Sequence, residues 1–351
     1  MKKIFFILEG NNGATYIFNA KNSNAVSDSL KFYKARTVKQ KVMKNALKLY
    51  LNALALLCET SLYCSLKDKN EIEQYLEKLT DLPMDFELDE NSSILISPTR
   101  DKIIVHHHGE YFYKFAFGNS YKNVKNEASI YELLNRPLQN FKVSKFYDLN
   151  DRENEFCSFK LGSQKKELKS DINLTSALVE MFRITRQEKH LFSSYLEDLK
   201  RRYLNSGIAC DTIEKVLKEL EVTHENELIP LGLVHRDFKH WNINVESGLL
   251  IYDFEEAVTD GPPLEDLLNY HIDPIVRYVS PSEVAEIILD SENMKEYKRY
   301  LKKLEIALDF KVLLYCHLLE RAIFWMDRDE KETSVKYCDL LEYIVMEHKE
   351  K

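Results

Sequence analysis

The chain has 351 residues, 44% hydrophobic and 30% charged, with nine Gly and eight Pro, a globular, helix-rich composition long enough for one two-lobed enzyme or two to three ordinary domains. A net charge of −8 argues against a general nucleic-acid binder. No apolar run is long enough to span a bilayer, and the apolar start meets Glu9 too early for a secretory leader. Six cysteines without a C-x-x-C pair point to free thiols in a cytoplasmic protein.

Charge is distributed unevenly. Residues 1–50 carry ten Lys or Arg against two acids, Glu9 and Asp28, so +8 there leaves −16 for the remainder. Residues 4–8 and 15–18 alternate as strands around an Asn-Asn-Gly turn at 11–13. No Lys-Ser/Thr helix start follows Gly10 and Gly13, so they make no phosphate loop. Residues 31–57 read as one or two helices whose basic side (Lys31, Lys34, Arg36, Lys39, Lys41, Lys44, Lys48) opposes Val42, Met43, Ala46, Leu47 and Tyr50. The preferred reading is a solvated basic face over an apolar side packed on a small lobe. The alternative is a weak contact of residues 31–50 with an anionic membrane surface. A helix over 69–79 ends near a boundary at Leu82-Pro83.

Strands are expected over 93–97, 102–107 and 111–117, the first two joined by Pro98-Thr-Arg-Asp101. His106, His107 and His108 are adjacent, but strand neighbours face opposite ways, so only His106 and His108 could share an ion. A hairpin end is the better reading. Lys114 lies in the third strand and Glu127 in the helix that follows, over 124–135. A strand Lys held by a helix Glu is the device that grips nucleotide α/β-phosphates. Strands over 143–147 and 155–159 complete the sheet, and 160–163 reads as a hinge whose backbone could meet an adenine. Beyond it, helices are expected over 176–205 and 211–220.

The densest signal is Gly232-Leu-Val-His235-Arg236-Asp237-Phe-Lys239-His240-Trp241-Asn242, followed after a Ser247-Gly248 turn by Leu249-Leu-Ile-Tyr252-Asp253-Phe254-Glu255. An apolar strand enters a loop bearing Asp and, five residues later, Asn; a hairpin then ends in Asp-Phe. Phosphoryl transfer needs a carboxylate to orient the incoming hydroxyl and hard oxygen ligands for magnesium. Asp237 suits the first role, Asn242 and Asp253 the second. Further helices start at Leu264 and at Ser280-Pro281 and run over 295–326 and 331–349.

On these motifs the sequence resembles the aminoglycoside phosphotransferase and choline kinase branch of the protein-kinase-like fold, over about residues 91–350. The resemblance implies an α+β, two-lobed architecture: a small antiparallel-sheet N-lobe with one helix (91–160) and a mainly helical C-lobe (161–351). Residues 1–90 would be an extension packing on the small lobe. It implies Asp237 as the base, Asn242 and Asp253 as Mg2+ ligands, Lys114 with Glu127 on ATP or GTP, His235 as a buttress and Asp266 as a brace for the loop. As an alternative, Asp266 is an acid favoured by a helix N-terminus. His-Arg-Asp-Phe-Lys is closer to Ser/Thr protein kinases, where the lysine, here Lys239, meets the γ-phosphate. The turn at 97–101 lacks glycine, and Ser97 and Thr99 hydroxyls could substitute there. With only twelve residues from Asp253 to Asp266, an activation segment has little room. The expectation is therefore an ATP-dependent phosphotransferase acting on a hydroxyl of a small polar molecule or glycan. The alternatives are a kinase-fold adaptor that binds nucleotide without transfer, and a Ser/Thr protein kinase.

Overall fold

The computed structural model describes residues 3–10, 13–30, 38–57, 66–80, 88–108, 110–152, 156–162, 173–245 and 248–347. The chain divides into two compact units, 1–135 with 144–165 and 136–143 with 166–351.

The first unit is built on one antiparallel sheet. Its strands are β1 (Phe5–Glu9), β2 (Thr15–Asn19), β3 (Leu66–Lys67), β4 (Ser92–Ile96), β5 (Lys102–His107), β6 (Tyr111–Phe117), β7 (Phe146–Arg152) and β8 (Phe156–Gly162), ordered β3-β1-β2-β4-β5-β6-β8-β7. Residues 1–90 thus enter the sheet itself: β2 pairs with β4 through Thr15↔Ile96, Tyr16↔Leu95 and Ile17↔Ile94. Strand alternation explains the two-sided core. Ile17, Ile94, Ile103, Val105 and Phe115 cluster with Ile72 and Leu76 of α3 (Lys69–Thr80). Phe18 and Ala20 cluster instead with Val26 of α1 (Ser23–Ser29) and with Leu51 and Leu54 of α2 (Val38–Leu57). α4 (Tyr121–Leu133) buries Val124, Ala128 and Tyr131, the last against Phe159.

Three expectations change here. α1, whose Asn22 side chain caps it by accepting from the Ala25 amide, was hidden among polar residues. The apolar face of α2 is not the expected one: Leu51 and Leu54 are buried, Leu47 partly so, whereas Val42, Met43 and Tyr50 are 63%, 50% and 47% exposed. The expected hinge at 160–163 is still strand through Gly162. Lys31, Lys34 and Arg36 and the boundary at Leu82-Pro83 fall outside the described residues.

The second unit is mainly helical: α5 (Leu174–Arg183), α6 (Phe192–Ser206), α7 (Asp211–Thr223), α8 (Glu265–Ile272), α9 (Pro281–Leu289), α10 (Ser291–Lys303), α11 (Phe310–Met326) and α12 (Lys331–Glu347). A short sheet runs β13-β10-β9, made of β9 (Gln187–Leu191), β10 (Leu228–Val234) and β13 (Val258–Gly261), and β11 (Ile243–Asn244) pairs with β12 (Leu250–Ile251). The single helix expected over 176–205 is broken by β9, because His190 and Gln187 find strand partners in Ile229 and Leu231; a distant partner overrides local helix pattern. The helix expected over 295–326 is broken too. Glu305 takes a left-handed φ of 55°, and Asp309 caps the next helix by accepting from the Lys311 amide at 2.7 Å. Cys210, not Asp211, occupies the α7 N-cap. Ser280-Pro281 opens α9 as its sequence implied, and Ser280 further completes a capping box with Glu283.

Candidate active site

In the sheet unit, Lys114 stands in β6 in register with Ile104 of β5 and Phe159 of β8. Its ammonium donates to both carboxylate oxygens of Glu127, at 2.8 and 2.7 Å, and Glu127 is fully buried. Helix α4 follows β6 through a three-residue 3-10 turn, Gly118–Ser120, and its phase brings Glu127 to the lysine. Two charges share that low-dielectric position, so neither can be removed without stranding the other.

Ser97 and Thr99 occupy the β4–β5 turn, where the geometry gives both hydroxyls to Asp101. Ser97 Oγ donates to Asp101 Oδ1 at 3.2 Å, and Thr99 Oγ1 makes a shorter bond to the same oxygen. Ser120 adds its amide at 3.0 Å and its hydroxyl at 2.8 Å. Burial alone would raise the Asp101 carboxyl, but the Thr99, Ser120 and Ser97 donors outweigh it and hold it below the usual range. This turn is organised around a carboxylate, and its hydroxyls already have an acceptor. The neighbouring histidines are likewise engaged: His106 stacks on Phe112 with centroids 4.2 Å apart, and His107 Nδ1 lies 3.2 Å from Asp89.

In the helical unit the loop of residues 235–242 lies between β10 and β11. Two close approaches set β10 behind it. A Cβ on Gly232 would stand 2.4 Å from the Phe182 carbonyl oxygen, and one on Gly261 would stand 2.0 Å from Val234 Cγ2; only glycine lets α5 and β13 come this near. The next residues turn sharply. Arg236 has φ +62°, and its amide and that of His235 donate to the two oxygens of Asp266 at 2.9 and 2.7 Å. Asp266 is 5% exposed. Burial pushes its carboxyl up to about 7, against the pull of the two amides. His235 Nε2 donates to the Tyr252 carbonyl at 3.0 Å, tying the loop to the exit of the hairpin, and burial holds its imidazole below the ordinary range.

Asp237 therefore sits on a clamped backbone. Asn242 Nδ2 donates to its backbone carbonyl at 2.9 Å and to its Oδ2 at 2.8 Å. Asn242 is almost fully buried, and Lys239 Nζ binds Asp237 Oδ1. Asp253, half-buried at the exit of β12, has φ +73°. Left-handed non-glycine residues cost about 1–3 kcal/mol and cluster at functional sites; Arg236 and Asp253 bracket this loop and hairpin. The donors Asp237, Asn242 Oδ1 and Asp253 are hard oxygens, the set magnesium prefers.

A layer the sequence reading missed lies behind Lys239. Asp273, at the C-terminal end of α8, accepts from Lys239 Nζ at 3.1 Å, from Arg321 Nη2 of α11 at 2.5 Å and from the Tyr337 hydroxyl of α12. Arg321 also donates to the Arg236 carbonyl at 3.1 Å. Arg236 Nε donates to Glu265 at 3.1 Å and its Nη2 lies 3.5 Å from Glu320, so Glu265 is committed to the loop. The available signal was Glu320-Arg321 in the middle of an otherwise apolar helix. Charges buried there need partners.

Residues 178–300 match the model of the phosphotransferase enzyme family. The matched segment holds the whole loop, the hairpin and Asp266, and it is the family already indicated by the sequence motifs. No curated protein sequence matches the chain. Among solved structures, a thermostable mutant of aminoglycoside phosphotransferase APH(4)-Ia in apo form is similar at 12% identity and a TM-score of 0.46, covering 79% of this chain and 99% of that one. The gentamicin–APH(2")-IIa complex is similar at 14% identity and a TM-score of 0.41, over 78% of this chain and 96% of that one. The same APH(4)-Ia mutant (D198A) in ternary complex with ADP and hygromycin B gives 12%, 0.43, 77% and 97%.

Proposed function

We propose that the protein is a magnesium-dependent phosphotransferase that moves the γ-phosphate of ATP or GTP to a hydroxyl of a small polar molecule or glycan. The observation that carries this reading is the state of Asp237. Its carboxylate is presented by Asn242 and Lys239 on a backbone clamped by Asp266, the constraint a general base needs to meet an incoming hydroxyl in one orientation. Asp237 would take the hydroxyl proton. Asn242 Oδ1 and Asp253 would hold the metal, which when bound supplies charge neutralisation at the phosphate oxygens. Lys239 places a positive charge beside Asp237, where it would meet the charge on the transferring group. Lys114, fixed by Glu127, would bind the α/β-phosphates. We assign Ser97 and Thr99 to the integrity of their turn rather than to phosphate.

The test is a panel of hydroxyl acceptors with labelled ATP and magnesium, run on the full chain and on Asp237→Asn. Transfer to one acceptor class is expected, with the variant slower by about 10²–10⁴-fold and its melting temperature still raised by magnesium-ATP. An unchanged rate in the variant rejects the assignment of the base. A nucleotide-induced rise in melting temperature with no transfer to any acceptor favours the adaptor, and transfer to a protein alone favours the protein kinase.

A further inference from the structure

We infer that α2 is a docking surface for an anionic lipid bilayer, a property independent of the catalytic reading. The helix has twenty residues and is about 30 Å long at ~1.5 Å per residue. It is apolar on two faces, and the sheet uses only one of them. Leu51 and Leu54 are buried with Phe18 and Val26, and Leu47 packs against them. At 3.6 residues per turn, Val42, Met43, Ala46, Leu49, Tyr50 and Ala53 fall on the adjoining sector. Val42 is 63% exposed, Met43 50%, Leu49 74% and Tyr50 47%, the last touching Phe6 only edge-on. A continuous exposed apolar stripe of this kind marks an interaction surface.

Its charge selects the occupant. Lys39, Lys41, Lys44 and Lys48 are the only charged residues of α2, and it has no acid. Lys39, Lys41 and Lys48 are exposed, while Lys44 is half-buried and close enough to Lys48 for that charge, after burial, to lower its pKa. Lys41, Lys44 and Lys48 lie on the polar side of the helix, opposite the stripe. An anionic bilayer would neutralise the lysines while the stripe enters the headgroup–acyl boundary, the way an interfacial amphipathic helix binds. Residues 1–50 as a whole carry +8 in a chain of net −8, so α2 lies in the basic part of the sequence, which an anionic surface attracts.

The experiment is co-sedimentation of the full chain with phosphatidylcholine vesicles, with and without phosphatidylglycerol, at low and high salt. Sedimentation analysis without lipid accompanies it. Binding is expected with phosphatidylglycerol only, and it should weaken as salt rises. Replacing Lys39, Lys41 and Lys48 together by Gln should lower the partition constant about 100-fold, at about fivefold per lysine. Val42→Asp with Leu49→Asp should abolish binding, and both variants should keep the parent's melting temperature because the altered side chains are exposed. The inference is overturned if anionic vesicles fail to sediment the protein, if neutral vesicles do so equally, or if neither variant weakens binding. It is also overturned if the apolar variant instead dissolves a dimer of the free protein, which would assign the stripe to self-association.

Discussion

The two units hold their polar residues by different means. In the sheet unit, Lys114 and Glu127 form one pair between one strand and the next helix, thirteen residues apart. Strand register and helix phase are enough to bring them together. In the helical unit, Asp237 and Lys239 rest on Asp266, Asp273, Arg321 and Tyr337, which come from three helices up to 100 residues away. The contrast teaches that a regular element can aim one side chain by its own geometry, whereas a loop bearing several polar groups must be braced from outside. Here the braces are buried charges, each of which binds two or three partners. They stabilise one loop conformation only as a set, because a buried charge that loses its partner is strongly unfavourable.

The comparison can be broken from the helical side first. Arg321→Met leaves Asp273 with Lys239 and Tyr337 alone and the Arg236 carbonyl with only the Asn269 amide, so it should cost about 3–5 kcal/mol of stability and lower the transfer rate together with the melting temperature. Changing Arg321→Met and Asp273→Leu together should recover much of the stability but not the rate, since Lys239 loses Asp273 and keeps only Asp237 as a partner. Glu127→Leu strands a buried ammonium and should cost a similar amount. Its functional signature should differ: a weakened rise of melting temperature with magnesium-ATP. If Arg321→Met left transfer unchanged at a temperature where the variant is folded, the braces would be structural only.

Burial depresses the imidazoles of His235, His271 and His317, the last to about 3. A base depressed in the folded state takes its proton more readily when unfolded, so its contribution is complete above about pH 6.5 and is lost as the pH falls below that value, for His317 by ~1.4 kcal/mol per pH unit. Asp266, raised to about 7, works in the opposite sense, because its carboxyl binds a proton more readily when folded and so adds stability as the pH falls. The His317 contribution is therefore read as the difference between the parent and His317→Leu from pH 7 down to 5, about one proton in the slope of stability against pH. A slope unaltered by that variant would remove His317 from the account. The smallest effect concerns the β4–β5 turn. Thr99→Val removes one donor to Asp101, which should cost about 1 kcal/mol and leave the nucleotide response unchanged. A loss of nucleotide binding there would return the hydroxyl to the phosphate.

Much of this molecule could be read without coordinates. The strands around Lys114 alternate with period two, the Asp237–Asn242–Asp253 spacing is dense in chemistry, and Ser280-Pro281 is a local start signal. Each depends on residues near one another in the chain. What escaped was set by distant partners. Strand β9 exists because β10 lies beside it, and Ser97 and Thr99 serve Asp101 together with Ser120. The exposed stripe of α2 also depended on which of its two apolar faces the sheet would cover.

The sequence by itself therefore determined most strands of the sheet, the Asp237–Asn242–Asp253 motif and the distribution of charge along the chain, because periodicity and spacing are properties of neighbouring residues. Only the tertiary structure decided which buried charges answer one another behind Asp237 and which apolar face of α2 remains in water. Desolvation and packing depend on what the rest of the chain places alongside, and no local pattern encodes that.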